Sequence, residues 1–190
     1  IEEFGIEFDN VCIIDPKDPK QDIQRHEYGD VLWEKRKRKG MTQFEARKLM
    51  RERNYYGSMM VEMGDADALI SGISRNYRST IKPAIEVIGK EDGVNKVIGM
   101  YIIRTKKGTL FLADTTINMN PTAEEIAEIS VLIAKSVKQF RIKPRLALLS
   151  YSNFGSTRTD DSAKMAKASE IIRKDHPDLV VDGEIQADFA

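Results

Sequence analysis

Residues 148–156 join a short apolar run to a loop rich in hydroxyl groups, just before a segment with helical character. The loop carries Ser150, Ser152 and Ser156, whose hydroxyls can donate to phosphate or carbonyl oxygens. Backbone N–H groups at a helix start are unpaired, and Gly155 lets a ligand approach closely. This pattern is typical of an anion or cofactor site. The alternative is an N-capped helix whose serines and threonines satisfy its own backbone.

A second loop of this kind follows the apolar residues 67–70. It opens with Ser71 and Gly72 and leads to a predicted helix that begins at Thr80. Three cations stand close by, and one of them, Lys82, falls in the first turn of the predicted helix. The helix dipole favours anions at that end, so a cation there favours a site for a bound anion. The alternative is a surface lysine whose stem packs on the helix.

Five consecutive cations occupy residues 35–39, just before Gly40. Such a run could be a nuclear localisation signal or a patch that binds polyanions. A solvated helix end is the competing interpretation, because the dipole favours cations at a helix C-terminus. One member of the run could still point inward.

Carboxylates follow two further apolar runs. Residues 114–118 could contact a ligand or simply cap a turn. Asp182 and Glu184 could form an acid/base pair or a metal site, but without a third ligand we expect no metal site. The chain carries no Ser-His-Asp arrangement, no phosphate loop and no dinucleotide fingerprint. We therefore do not expect an NADP domain within it.

Composition limits the classes of protein to which this chain can belong. The chain has 190 residues, a formal net charge of zero and 41% hydrophobic residues, which suits one or two small globular domains. The balanced charge argues against a nucleic-acid partner. The sequence contains no stretch of about 18 apolar residues, so we predict no membrane span. The single cysteine, Cys12, fits a reducing compartment, so we predict a cytoplasmic location. Its apolar neighbours predict that it is buried.

Apolar strands alternate with amphipathic helices, which predicts an α/β fold with a mainly parallel sheet covered by helices. A polar, glycine-containing stretch at residues 89–95 is the predicted domain boundary. The predicted strands are 11–14, 67–70, 97–104, 109–113, 146–149 and 179–181. The predicted helices are 28–39, 42–53, 80–88, a long helix after a capping box at Thr122 and Glu125, and 160–174.

Ordered blocks of residues through most of the chain resemble the phosphate acetyltransferase/butyryltransferase family. The blocks are 36–42, 56–61 with 63–67, 71–72 with 82–84, 113–115, 120–125, and 177–179 with 182–186. The resemblance implies a three-layer α/β/α fold of two subdomains, like that of isocitrate and isopropylmalate dehydrogenases, incomplete here at both ends. It places residues 1–90 and 91–190 in the two subdomains, the ligand in the cleft between them, and the chain in a homodimer or larger homo-oligomer.

Residues 147–156 are similar to a narrower version of the module, at the C-terminus of bacterial multidomain NADP-dependent malic enzymes. There the module is regarded as regulatory, so the resemblance implies acetyl-CoA, or a related acyl-CoA or phosphate, as ligand rather than substrate. NADP and a divalent metal are expected in the separate malic-enzyme part and no cofactor in this chain. The residues expected to contact the ligand are Arg36, Ser71, Gly72, Thr80, Lys82, Ser150, Ser152 and Ser156.

Two departures bear on catalysis. The transferases carry arginine where this chain has Lys82, and lysine keeps the charge but loses the planar two-pronged grip on phosphate. The transferases' catalytic Ser-Arg pair, in an Asp-Leu-Ser-Arg-Gly motif, does not occur in these 190 residues, so we expect no catalytic residue here. Two alternatives to a regulatory module stay open: an active phosphate acetyltransferase, and an oligomerisation module without a ligand.

Overall fold

The computed structural model describes residues 10–190. The chain divides into two compact units, Ile1–Asp92 and Gly93–Ala190. Within the described residues, no helix combines the length and the apolar character needed to cross a membrane.

The described part of the first unit is helical. Its helices are α1 (Asp22–Arg36), α2 (Gln43–Leu49), α3 (Arg53–Met63) and α4 (Tyr77–Val87), with short 3-10 turns at Pro19–Gln21 and Lys37–Lys39. Thr42 caps α2 as predicted, in a capping box with Glu45. The core joins all four helices through the buried side chains of Tyr28, Leu32, Ala46, Met50, Tyr55, Tyr56, Met59 and Val87.

The strands predicted at residues 11–14 and 67–70 are not formed. A strand needs a neighbour to complete its ladder of hydrogen bonds, and no described residue pairs with either segment. Most apolar side chains there are exposed, as in Ile13 and Ile70, whereas Ile14 is partly buried against the core of the first unit. The prediction that Cys12 is buried is wrong for the same reason, since its side chain is exposed.

Helix α4 begins three residues earlier than predicted. The side chain of Asn76 accepts a hydrogen bond from the Ser79 N–H at 2.9 Å and caps the helix before Tyr77. Lys82 therefore lies in the second turn, not the first, and Pro83 lies inside the helix. The dipole argument for an anion beside Lys82 does not hold, because that effect is confined to the first turn.

The second unit mixes helices and strands, which confirms the predicted α/β class. Its elements are β1 (Met100–Thr105), β2 (Gly108–Ala113), α5 (Ala123–Gln139), β3 (Arg145–Leu149), α6 (Asp160–Asp175) and β4 (Val180–Ile185). Strands β1 and β2 form the predicted antiparallel hairpin, with Met100 opposite Ala113 and Gly108 at positive φ. Strands β3 and β4 pair in parallel. Among residues 10–190 the strands thus form two separate pairs, rather than one mainly parallel sheet.

Helix α5 organises the second unit because it is apolar on two sides. The predicted capping box of Thr122 and Glu125 fixes its start. One side packs against the hairpin through Ile129, Ile133 and Val137. The other side packs with α6, β3 and β4 around a core of Ala123, Ile126, Ala127, Ala134, Leu148, Ala168, Ile172, Leu179 and Val181. This core holds the end of β3, and so the loop that follows it.

Candidate functional site

A basic pocket of about 670 Å³ lies in the first unit. Its lining carries more positive than negative side chains. The cations are Lys17, Arg36, Lys39, Lys48, Arg51 and Lys82, and the carboxylates are Glu45, Glu52 and Glu86. Such an excess of positive charge in a concave surface attracts anions. We refer to this feature as the basic pocket.

Arg36 is the inward-pointing member of the five-cation run. It ends helix α1, and its side chain is 20% exposed. Its Nη2 lies 3.5 Å from Glu86 Oε1, while its Nε is buried and has no hydrogen-bond partner within the described part of the chain. By contrast, Lys37 is exposed, pairs with Glu34 and lies over the Trp33 ring. The run is therefore a solvated helix end from which Arg36 and Lys39 line the basic pocket, and Arg36 is the more buried of the two.

Glu86 forms ion pairs with two cations of the basic pocket. Its Oε1 is 3.5 Å from Arg36 Nη2 and 3.9 Å from Lys82 Nζ. Its Oε2 accepts a hydrogen bond from the hydroxyl of Tyr55. Burial, the hydrogen bond to Glu86 and its negative charge raise the pKa of Tyr55, so this hydroxyl stays protonated and donates. Glu86 was not among the predicted site residues, although its spacing of four from Lys82 on one helix was a usable signal.

The other predicted residues of the first unit lie outside the lining of the basic pocket. The Ser71 hydroxyl donates to Asn54 Oδ1 at 2.7 Å, and Gly72 has a φ of +141°. The Thr80 hydroxyl donates to the Asn76 carbonyl at 3.2 Å, within its own helix. The structure therefore brings Arg36 and Lys82 together, and the ligand contacts expected of the other three residues stay predictions.

In the second unit, the loop of residues 150–157 folds around the buried carboxylate of Glu184. Glu184 Oε1 accepts hydrogen bonds from Ser152 Oγ at 2.6 Å and from the Gly155 N–H at 3.0 Å. Ser152 Oγ in turn accepts from the Thr157 N–H at 3.0 Å. The Phe154 N–H donates to the Glu184 carbonyl at 3.0 Å. The side chain and the backbone of Glu184 thus hold residues 152–155, and Gln186 holds the loop as well, through Asn153 and the Tyr151 carbonyl.

The three predicted serines occupy different places in this loop. Ser152 has no exposed surface, so in this conformation it holds the loop and does not present its hydroxyl to a ligand. Ser150 Oγ accepts from the Ser152 N–H at 3.3 Å, and Ser156 Oγ accepts from the Asn153 N–H at 3.0 Å. Ser150 is partly exposed and Ser156 exposed, and their contact with a ligand stays a prediction.

Asp182 and Glu184 do not form an acid/base pair. Asp182 is exposed and its Oδ1 lies 3.0 Å from Arg173 Nη2. Glu184 is instead buried beneath the loop of residues 150–157, which we refer to as the serine loop. No group of three or more His, Cys, Asp and Glu side chains within residues 10–190 is arranged to hold a metal ion.

Asp114 caps a turn after β2. Its carboxylate accepts hydrogen bonds from the N–H groups of Gly99 at 2.9 Å and Asn118 at 2.7 Å, and from those of Thr116 and Ile117 at 3.3 Å. Burial alone would raise the pKa of Asp114, but these hydrogen bonds and one from the Asn118 side chain outweigh it and lower the pKa. The capping interpretation of residues 114–118 therefore accounts for this carboxylate.

We expect Asp114→Asn to lower the free energy of unfolding at pH 7 by about 2 kcal/mol, because an amide cannot accept all of these hydrogen bonds. A depressed folded-state pKa stabilises the protein above the unfolded-state pKa of about 4, and the benefit is lost as pH falls through the folded value. Urea unfolding at pH 7 and pH 3 should show the difference from wild type shrinking in acid. Asp178→Asn, at an exposed surface ion pair, is the control. An equal loss at both pH values would contradict the assignment.

Comparisons with known proteins agree with this fold. A family model described as phosphate acetyl/butaryl transferase matches residues 1–190. The phosphate acetyltransferase of Nitratidesulfovibrio vulgaris is 37% identical, over 100% of this chain and 27% of its own length. The NADP-dependent malic enzyme of Escherichia coli is 38% identical, over 98% of this chain and 24% of its own length. The chain thus spans about a quarter of the length of these two relatives.

Two solved structures are also similar. The EutD phosphotransacetylase from Staphylococcus aureus superposes with a TM-score of 0.79 and 28% identity, over 97% of this chain and 56% of that chain. A phosphotransacetylase from Streptococcus pyogenes gives a TM-score of 0.76 and 32% identity, over 97% and 55%. The predicted resemblance and phosphotransacetylase-like α/β fold are confirmed. The chain belongs to the phosphate acetyl/butaryl transferase family and is related both to phosphate acetyltransferases and to NADP-dependent malic enzymes.

Proposed function

We propose that this chain is the phosphotransacetylase-like regulatory module of an NADP-dependent malic enzyme and binds acetyl-CoA, or a related acyl-CoA, in the basic pocket. The observation that carries the proposal is Arg36, whose buried Nε lacks a hydrogen-bond partner among residues 10–190. An unpaired buried donor is costly, so its presence in a basic pocket favours a ligand that supplies an acceptor. The malic-enzyme relatives support the assignment to a module of that protein class.

Three further cations of the basic pocket suit the phosphates of coenzyme A. They are Lys39, Lys48 and Arg51, and none of the three forms an ion pair with a described residue. Their charges are therefore available to a polyanionic ligand. Regulation requires more than binding, since the ligand must have unequal affinity for two states of the enzyme.

We expect Arg36→Gln to weaken acetyl-CoA binding by about tenfold or more, because it removes a charged donor from the basic pocket. Isothermal titration calorimetry on the full-length protein measures this, with free CoA for comparison. The matched control is Arg38→Gln, which removes an equal charge from the same run but lies outside the lining of the basic pocket. Equal effects of the two variants would contradict a specific role for Arg36.

An active phosphate acetyltransferase is the second candidate, because relatives of that name are as similar as the malic enzymes, at 37% against 38% identity. The full-length protein should then form acetyl phosphate from acetyl-CoA and inorganic phosphate. Acetyl-CoA binding without product would support regulation. Assembly into oligomers with no acetyl-CoA binding would instead support an oligomerisation module.

A further inference from the structure

Glu86 places a negative charge inside the basic pocket, beside two of its cations. Its carboxylate lies against Arg36 and Lys82, at 3.5 and 3.9 Å, and its side chain is only 16% exposed. An incoming phosphate group would have to approach the same two cations. The position next to Arg36 Nη2 is therefore already taken by an acceptor that belongs to the chain, whereas Arg36 Nε has no partner among residues 10–190.

Tyr55 keeps this carboxylate in place. The tyrosine is buried in the core of the first unit, and its hydroxyl donates to Glu86 Oε2. Tyr55 thus holds Oε2 of Glu86 through a hydrogen bond, while Oε1 faces Arg36 and Lys82. A rotation away from Arg36 would break the hydrogen bond to Tyr55, which is buried and would be left without its acceptor.

The cations of the basic pocket accordingly fall into two groups, those that pair with Glu86 and those that have no acidic partner in the described part of the chain. Near α4, one carboxylate offsets Arg36 and Lys82, and a multiply charged phosphate there would meet a like charge at close range. Elsewhere in the lining, Lys39, Lys48 and Arg51 have no acidic partner among the described residues. Discrimination by such a like charge is a common way to reject one ligand while accepting another.

We propose that Glu86 determines ligand specificity in the basic pocket. It excludes inorganic phosphate from Arg36 and Lys82 and leaves Lys39, Lys48 and Arg51 open to the phosphates of an acyl-CoA. The inference rests on the proposed function, since it concerns the same pocket and the same ligand. It also gives a physical reason for binding without transfer, because transfer of an acyl group to phosphate requires phosphate beside the thioester.

The test is calorimetric titration of the full-length protein with inorganic phosphate alone, at constant ionic strength. We expect Glu86→Gln to bind phosphate about tenfold or more tightly than wild type, because the competing charge is gone while the side chain keeps its shape. Glu52→Gln is the matched control, since it removes an equal charge from the same lining but pairs with Arg75 rather than with Arg36. We expect it to stay within about twofold of wild type.

Glu86→Ala is a second variant that removes the carboxylate without adding an amide, and thermal unfolding of both variants reports on folding. Tighter phosphate binding by either folded variant supports the proposal. Unchanged or weaker binding by the folded variants, or an equal gain in Glu52→Gln, overturns it. Wild-type titration with acetyl-CoA is a separate measurement. Absence of acetyl-CoA binding would contradict the proposed function, while the phosphate comparison would still decide the role of Glu86.

Discussion

Replacing Glu184 with alanine should lower the free energy of unfolding by about 3 kcal/mol, because it leaves the buried hydroxyl of Ser152 and the partly buried Gly155 N–H without their acceptor. The side chain is 3% exposed and accepts hydrogen bonds from Ser152 Oγ and the Gly155 N–H. Ser152 is also fully buried, so water cannot replace the lost acceptor without opening the loop. The stability of the second unit and the order of the serine loop therefore depend on the same carboxylate.

Urea unfolding followed by circular dichroism measures the change in stability. Glu184→Gln keeps an acceptor at the Oε1 position, where both hydrogen bonds converge, and should cost no more than about 1 kcal/mol. Asp182→Ala, at an exposed ion pair two residues away, should cost less than about 1 kcal/mol. Comparable losses in all three variants would show that the strand is sensitive to any change, and not to this acceptor.

Amide hydrogen exchange locates the effect of Glu184→Ala within the chain. The N–H groups of Gly155 and Thr157 are held by Glu184 and Ser152, so their exchange should accelerate together. The amides of α5 should keep their protection unless the whole unit unfolds, because the capping box of α5 is formed by Thr122 and Glu125 and does not involve the loop. Unchanged exchange at residues 155 and 157 would contradict the role assigned to Glu184.

Elements set by local patterns were predicted from the sequence. The hairpin, α5 and α6 depend on apolar periodicity and on capping residues within a few positions, as at Thr122 and Glu125. The segments 11–14 and 67–70 have the composition of strands, but a strand also requires a partner distant in sequence. Composition carries no information about that partner, and both predictions were wrong.

The residues of the candidate site were likewise predicted only in part from the sequence. Arg36 was found through the family resemblance, but a run of cations does not show which member turns inward. Glu184 was recognised as a carboxylate after a strand, yet its burial depends on a β-bulge. The register of β3 and β4 shifts between Leu148 and Leu149, so that Leu149 pairs with Ile185 and Glu184 is the extra residue. A bulge re-aims side chains against the simple alternation of a strand, which the sequence pattern assumes.

The same bulge makes Gly183 the position where a single methyl group should do the most damage. Gly183 has a φ of +134°, a conformation that side chains rarely adopt. A Cβ there would lie 2.7 Å from the carbonyl oxygen of Leu148 and 2.8 Å from its Cβ. Both contacts are with the paired strand β3, whose backbone cannot move aside without breaking the ladder.

We therefore expect Gly183→Ala to lower the free energy of unfolding by about 4 kcal/mol, as the sum of backbone strain and overpacking. The matched control is Gly108→Ala in the hairpin of the same unit. Gly108 has a φ of +139°, but no described atom lies within 4 Å of the place that a methyl group would occupy, so strain alone should cost about 1–2 kcal/mol. Urea unfolding of both variants separates the two contributions. Equal losses would mean that backbone strain accounts for the whole effect, and that the close approach of β3 at Leu148 does not constrain Gly183.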